Sequence, residues 1–281
     1  MYNLQGKTVI VTGSGRTGGI GEALIMRFAE EGCNVVVSDL GTAKGEHFPG
    51  TAIGTTQEME TIAERARSTG AQALAVPCDV RMAADMENLV QQAVQKFGSV
   101  DIFINNAGVG YLMQLVTEME EDKWDTVLDV NLKGYFLGTK YAARQMIAQT
   151  QAGKRGGRII NIGSQASKSG FPFASAYTAS KHAVVGLTRS TAIELAQYGI
   201  TVNAVCPNHI TTGLGDWQNT FFSQKLGKTY EQYMADMKAR IPLGRTGLTS
   251  DIAKACAFLA SEQAEYITGE AMNVSGGEEM H

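Results

Sequence analysis

The chain has 281 residues, 44% of them hydrophobic and 19% charged, enough apolar mass to bury a core in one α/β domain or two small ones. Its net charge of −4, with no dense Lys/Arg block, argues against nucleic acid or an anionic membrane as partner. No apolar run reaches about 18 residues, and "MYNLQGK" at the start has no apolar stretch, so neither a membrane span nor a secretion signal is expected.

A first strand is expected at "TVIVT" (8–12), then a glycine-rich turn, "TGSGRTGGIG" (12–21), and a helix in "IGEALIMRFAEEG". The second strand, "NVVVSD" (34–39), leads into an unusually long connection, residues 41–57, before the helical pattern "ETIAERARSTG". Next come the strand "ALAVPCD" (73–79), the helix "DMENLVQQAVQKFG" and the strand "VDIFINN" (100–106). The long helical pattern "DKWDTVLDVNLKGYFLGTKYAARQMI" precedes the basic "GKRGGR" (153–158), read as an exposed turn, and the strand "RIINIGS" (158–164). The helix "SAYTASKHAVVGLTRSTAIELAQYG" and the strand "TVNAVCP" (201–207) follow. A second long, aromatic-rich segment, 208–247, separates that strand from the last helix and the final strand, "AMNVSG" (271–276).

Several of these strands are apolar throughout, the pattern of strands covered on both faces. The alternation predicts right-handed βαβ crossovers and an α/β fold. Residues 1–281 are expected to form a single-domain Rossmann fold, a doubly wound parallel sheet of about seven strands with helices on both faces. Connections as long as 41–57 and 208–247 are usually functional or disordered.

A strand, a glycine turn and a helix make a phosphate-binding context. Small residues let backbone N–H groups and the helix N-terminus approach a diphosphate, and the helix dipole favours its charge. Asp39 closes the second strand about 20 residues further on, where a ribose-binding acid belongs, so a dinucleotide is expected. A carboxylate there accepts both ribose hydroxyls of NAD and repels the extra phosphate of NADP. Arg16 is the competing signal, since a basic residue in the turn can bind that phosphate; its simpler role is as a neighbour of the diphosphate, and NAD is the expected cofactor.

Gly15, Gly19 and Gly21 give GxxxGxG, which resembles the short-chain dehydrogenase/reductase family. The family's usual form is TGxxxGxG, and this chain carries two extra residues between Thr12–Gly13 and Gly19. The resemblance runs from Lys7 to Gly277, with further motifs in the family's order. "CDV" (78–80), with Asp79 and Val80, matches the acidic turn that holds the adenine. "NNAG" (105–108), with Asn106, Ala107 and Gly108, matches the segment beside the cofactor. "PNHITT" (207–212), with Pro207, Ile210 and Thr212, resembles the PGxxxT segment at the nicotinamide carboxamide, and Asn208 stands where glycine is usual. Asn131 in "DVNLKG", Ser164 in "NIGS", and Tyr177 and Lys181 in "YTASK" match the catalytic tetrad. The cofactor set is completed by Gly13, Gly15, Arg16, Gly19, Ile20, Gly21, Asp39 and Leu40, with Tyr177 and Lys181 shared.

Tyr177 and Lys181 are four apart in a helical pattern and share a face. A free tyrosine, with a pKa of about 10, is a poor base at neutral pH, and a nearby ammonium favours its phenolate. The resemblance implies that Lys181 also binds the nicotinamide ribose, that the oxidised ring adds positive charge, that Ser164 holds the substrate oxygen, and that Asn131 orders a water linking Lys181 to solvent. The implied reaction passes a hydride between a secondary alcohol and NAD, with Tyr177 as general acid/base and a small-molecule alcohol or ketone as substrate. Two alternatives stand beside it: a 3-hydroxyacyl thioester dehydrogenase or 3-oxoacyl reductase, and a non-catalytic NAD-sensing protein on the same fold.

Segment 208–247 occupies the family's substrate-lid region. Substrate contacts are expected from Trp217, Phe221 and His209 within it, and from Gln165, Phe171 and Phe173; the opposing reading packs the lid aromatics against the core or another subunit. His47, His182, His209 and His281 lack ligand spacing, so no metal is expected. Cys33, Cys78, Cys206 and Cys256 show no CxxC spacing and read as reduced thiols of a cytoplasmic protein. The resemblance implies a homo-oligomer, commonly a tetramer built through two long helices, near 121–150 and 175–198, and the C-terminal strand.

Overall fold

The computed structural model describes residues 2–153 and 156–281, so Lys154 and Arg155 of the basic cluster lie outside the described residues. The apolar runs form strands β1 (Thr8–Thr12), β2 (Asn34–Asp39), β3 (Ala73–Pro77), β4 (Ile102–Asn105), β5 (Arg158–Ile162), β6 (Thr201–Pro207) and β7 (Ala271–Val274). They pair in parallel in the order β3-β2-β1-β4-β5-β6-β7. β1 is an inner strand, with Val9 opposite Val35 on one side and Ile102 on the other. The chain order reverses between β1 and β4, and open sheets of this kind form their crevice at that switch point, outside the carboxyl ends of the strands.

The helices are α1 (Ile20–Glu30), α2 (Thr56–Ser68), α3 (Ala83–Phe97), α4 (Glu121–Leu128), α5 (Gly134–Gln151), α6 (Ser175–Leu195), α7 (Gly213–Lys225), α8 (Tyr230–Arg240) and α9 (Thr249–Ala260). Two cores explain why the strands do not alternate with polar residues. Val9, Val11 and Ile104 pack with Leu24 and Phe28 of α1 and Ile252 and Cys256 of α9. Ile10 and Phe103 point to the other face and pack with Leu89 of α3 and Leu137 and Met146 of α5. Both faces of the inner strands are covered, so most of their positions favour an apolar residue.

The differences from expectation lie at the edges. The runs 73–79, 158–164 and 271–276 end as strands at Pro77, Ile162 and Val274, where the chain turns out of the ladder. The helical run 122–147 is interrupted between α4 and α5 by a π-helical turn, Asp129–Lys133. At the start of α5, Gly134 lies so close to Val80 that a Cβ there would sit 2.9 Å from its Cγ2. α2 begins at Thr56, earlier than its pattern suggested, because Thr55 and Glu58 cap its end reciprocally at 3.2 and 3.1 Å. What remains of the long connection, 41–55, folds back with Phe48 and Ile53 buried. Segment 208–247 is largely helical, with Thr212 and Thr229 capping α7 and α8. Among the described residues, no helix is long and apolar enough to cross a membrane.

Candidate active site

At the end of β1, Gly13 takes a left-handed conformation (φ 64°), and a Cβ on it would lie 2.5 Å from the Ala107 Cα. The turn and the end of β4 therefore touch backbone to backbone. The longer turn is absorbed by ties to β2. The Ser14 N–H donates to the Ser38 carbonyl and the Ser38 N–H to Ser14 Oγ, and the Gly15 N–H donates to Asp39 Oδ2 at 3.0 Å. Gly15 is thus packed beneath Asp39, against Met59 and Gly54, and does not face the crevice. α1 starts after Gly19 with no side chain capping it, so its first-turn N–H groups stay open to an anion. Glu22, the acid in that turn, is ion-paired with Arg65.

The Leu40 N–H donates to Asp39 Oδ1 at 2.9 Å. Burial pushes the Asp39 carboxyl up, while the amides of Leu40, Gly54 and Gly15 and the Arg16 guanidinium favour its charged form. Arg16 also donates to the Ala52 carbonyl at 3.4 Å. Burial alone would raise Asp79 too. Arg81, bonded to it at 2.8 and 2.7 Å, and Lys44 at 3.2 Å hold it at about 2 instead. Arg81 also lies over the Phe48 ring at 4.2 Å.

Residues 41–55 therefore form a flap, and Phe48, Ala52 and Ile53 wall the same crevice as Asp39 and Asp79. Sequence reasoning missed these three. For Phe48 and Ile53 the signal was a bulky apolar residue inside an otherwise glycine-rich, polar connection.

At the other end, Ser164, Tyr177 and Lys181 come together in the crevice wall. Burial raises the Tyr177 phenol above its usual value, and the Ser164 hydroxyl beside it pulls the other way. Lys181 is 3% exposed, and burial lowers it to about 8. Its ammonium donates to the Ile162 carbonyl at 2.7 Å and to the Tyr135 hydroxyl at 3.2 Å, and lies 5.8 Å from the centre of the Tyr177 ring. Asn131 is fully buried in the π-helical turn. It accepts from the Val109 N–H at 2.7 Å and donates to the Val109 carbonyl at 2.9 Å and to Ser180 Oγ at 3.2 Å. Its carboxamide clamps the loop after β4 and stays out of the crevice wall. Tyr135 was missed; its only sequence signal is its place four residues after Asn131.

All the expected cofactor residues except Gly15 wall this one crevice: Gly13, Arg16, Gly19, Ile20, Gly21, Asp39, Leu40, Asp79, Val80, Asn106, Ala107, Gly108, Tyr177, Lys181, Pro207, Ile210 and Thr212. None of the expected substrate residues is in its wall, and Phe171 and Phe173 line a separate surface cavity. Trp217 stacks on Phe221 (5.3 Å), which meets Phe173 edge-on at 5.6 Å, and Phe222 meets Phe171 at 5.8 Å. These rings are partners for one another. Leu214 and Gln218, one turn apart on α7, supply the wall below, with Gln218 donating to the Gly110 carbonyl at 2.9 Å. Gln165 turns to Glu279 at 3.1 Å. Burial and Arg240 lower His209 to about 4, so at neutral pH its 3.8 Å approach to Glu278 is no ion pair. Tyr111 joins the two covers, donating to the His47 carbonyl of the flap at 2.7 Å and meeting Trp217 edge-on at 6.4 Å. Among the described residues, no cluster of three or more His, Cys, Asp or Glu is placed to hold a metal ion.

Open N–H groups at a helix start, a carboxylate pre-bonded by amides and a Ser/Tyr/Lys group with its lysine buried, all in one crevice, fit a dinucleotide. The comparisons agree with that architecture. The family model described as Enoyl-(Acyl carrier protein) reductase matches residues 13–279. The 3-oxoacyl-[acyl-carrier-protein] reductase FabG of Staphylococcus aureus (strain Mu50) is 36% identical over 271 residues, 96% of this chain and 97% of that protein. Among solved structures, NAD+-bound xylitol dehydrogenase aligns with a TM-score of 0.86 at 30% identity, covering 98% of this chain and 100% of that one. The 3-ketoacyl-(acyl-carrier-protein) reductase of Brucella melitensis complexed with NADH gives 0.82 at 32% identity, covering 99% and 100%.

Proposed function

Because the chain belongs to the short-chain dehydrogenase/reductase family of oxidoreductases, we propose that it interconverts a secondary alcohol and its ketone with NAD as cofactor and Tyr177 as general acid/base. The observation that carries this reading is the convergence of Ser164, Tyr177 and Lys181 on the crevice that also holds Asp39 and the open start of α1.

In this reading the first-turn N–H groups of α1 hold the diphosphate, Asp39 the adenosine ribose, and Pro207, Ile210 and Thr212 the carboxamide end. When bound, oxidised NAD supplies the hydride acceptor and a further positive charge beside the phenol. Ser164 donates a hydrogen bond to the substrate oxygen, and Tyr177 takes the hydroxyl proton in oxidation and returns it in reduction. Bringing a phenol from about 10 to neutrality needs roughly 3 pKa units, or about 4 kcal/mol of differential interaction. Burial works against that shift in the free protein, so Tyr177 rests there as a neutral phenol and becomes a base only once positive charge gathers around it.

The choice of NAD rests on Asp39, whose oxygens are already aimed by the Gly15 and Leu40 amides, with Gly54 closing the space behind it. A second reading, reduction of a 3-oxoacyl thioester, is favoured by the likeness to the Staphylococcus aureus reductase. Against it, four of the five basic residues of segment 208–247 have local partners: Lys225 covers Phe173 and Phe221, Lys228 pairs with Asp236, Arg240 with Glu278 and Arg245 with Asp251. They do not converge on a phosphate site. Segment 208–247 acts as the substrate lid. The four buried free thiols suit a cytoplasmic protein, and the assembly is a homotetramer through α5, α6 and β7.

The test is NADH absorbance over a panel of sugars, polyols, alicyclic and aromatic alcohols and hydroxyacyl thioesters. Turnover on an alcohol, lost at least about 100-fold in Tyr177→Phe while NAD still binds, is the expected result. kcat/KM should be much larger with NAD than with NADP; equal or reversed values overturn the cofactor assignment. NAD binding without turnover across the panel would support an NAD-sensing role instead.

A further inference from the structure

Among the described residues, Lys181 is a buried cation with no counter-ion. Among the described residues, the groups acting on Lys181, Tyr177 and Tyr135 are these side chains themselves, the Ser164 hydroxyl and the Cys206 thiol of β6. Burial raises Cys206, so it is a neutral thiol at neutral pH, and none of these groups is a carboxylate. A charge removed from water without a counter-ion is tolerated only when polar atoms solvate it. Two oxygens do so here, the Ile162 carbonyl at 2.7 Å and the Tyr135 hydroxyl at 3.2 Å.

Tyr135 is built for this place. It is 1% exposed at the start of α5, directly after the π-helical turn of Asn131, and its hydroxyl donates to the same Ile162 carbonyl at 2.9 Å. That bond directs the oxygen's lone pairs at the ammonium, and the ring lies 4.9 Å from the same nitrogen, within cation–π reach. Burial and the neighbouring Tyr177 push the Tyr135 phenol well above its usual range, so it remains a neutral acceptor. Asn131, the expected neighbour of this lysine, has its carboxamide engaged by Val109 and Ser180. An ammonium has three N–H donors, and this arrangement takes two of them.

We propose that Tyr135 is a positioning residue for the general base: with the Ile162 carbonyl it solvates the Lys181 ammonium, keeping it charged beside Tyr177 and leaving one N–H for the cofactor. The proposal rests on the general-base reading of Tyr177. It goes beyond that reading by making the base depend on a second phenol that never touches substrate.

The test is a pH titration of tyrosinate ultraviolet absorbance in the NAD-bound protein, with Tyr177→Phe as the baseline that isolates Tyr177. Tyr135→Phe keeps the ring and removes the acceptor. Lys181 should then lose its proton at lower pH, and the Tyr177 midpoint should rise by about one pH unit, the size of one hydrogen bond to a charged group. Circular dichroism and NAD affinity, measured alongside, report folding and binding without needing a substrate. If the phenylalanine variant does not fold, Tyr135→Met fills the site without a hydroxyl and should give the same shift. A midpoint that neither variant moves would make Tyr135 a core residue only and overturn the proposal. The absence of any Tyr177 step below the ordinary tyrosine range in the wild-type complex would overturn the general-base reading, and the proposal with it.

Discussion

Lys181 keeps its charge at a cost to the fold. Its folded pKa of about 8 lies below the ordinary lysine value of 10.5, so between these values the unfolded chain holds a proton that the folded chain has released. Stability from this group therefore rises as pH rises through that window, and below about 8 the fold bears the full cost of the buried charge. Lys181→Met should abolish turnover yet raise stability at pH 7 by up to about 3 kcal/mol, measured by denaturant unfolding, with the gain shrinking toward pH 10. A variant less stable than wild type at pH 7 would mean that its two hydrogen bonds outweigh the desolvation. The same neutralisation should make kcat/KM for NAD fall as pH passes about 8, since that ratio reports groups of the free enzyme.

Among the elements, the flap has the clearest consequence. Gly54 meets Gly15 backbone to backbone, and a Cβ on Gly54 would lie 2.5 Å from the Gly15 Cα. Neither partner is a flexible side chain end, so Gly54→Ala must push apart the flap and the turn that supports Asp39. NAD affinity, measured by calorimetry, is expected to fall at least about tenfold, a loss of roughly 1.4 kcal/mol, with little change in the rest of the fold. Unchanged affinity would show that the flap moves independently of the turn. The other cover is α7, held down by Trp217, Phe221 and Phe222 against Phe171 and Phe173. The aromatics of segment 208–247 read equally well as pocket lining or as packing, because composition is the same in both cases; helix phase decides, and it turns Leu214 and Gln218 inward.

For the whole molecule, the doubly wound sheet leaves α5 and α6 with apolar residues in solvent: Phe136 is 47% and Ile193 81% exposed. These are the two long helices through which the proposed tetramer assembles, and covering such side chains is a reason to associate. Sedimentation velocity of the wild type should give a tetramer, and Ile193→Glu a smaller species, because the interface would bury an unpaired charge. A monomeric wild type would refute the assembly.

The amino-acid order alone determined the α/β class, the strand sequence and the glycine turn, and the Ser164, Tyr177 and Lys181 set was legible there through the family resemblance. The first three are written in local terms, periodicity and a turn that needs small residues; Tyr177 and Lys181 lie one helical turn apart, and Ser164 was marked by its motif alone. Only the tertiary structure decided that Gly15 supports Asp39 instead of facing the crevice, that Asn131 clamps Val109, that Phe48 and Ile53 close one end, and that Tyr135 stands beside Lys181. Those roles depend on which strand ends and loops meet at the switch point of the sheet. Such meetings are set by packing between segments far apart in the chain, and no spacing within one segment records them.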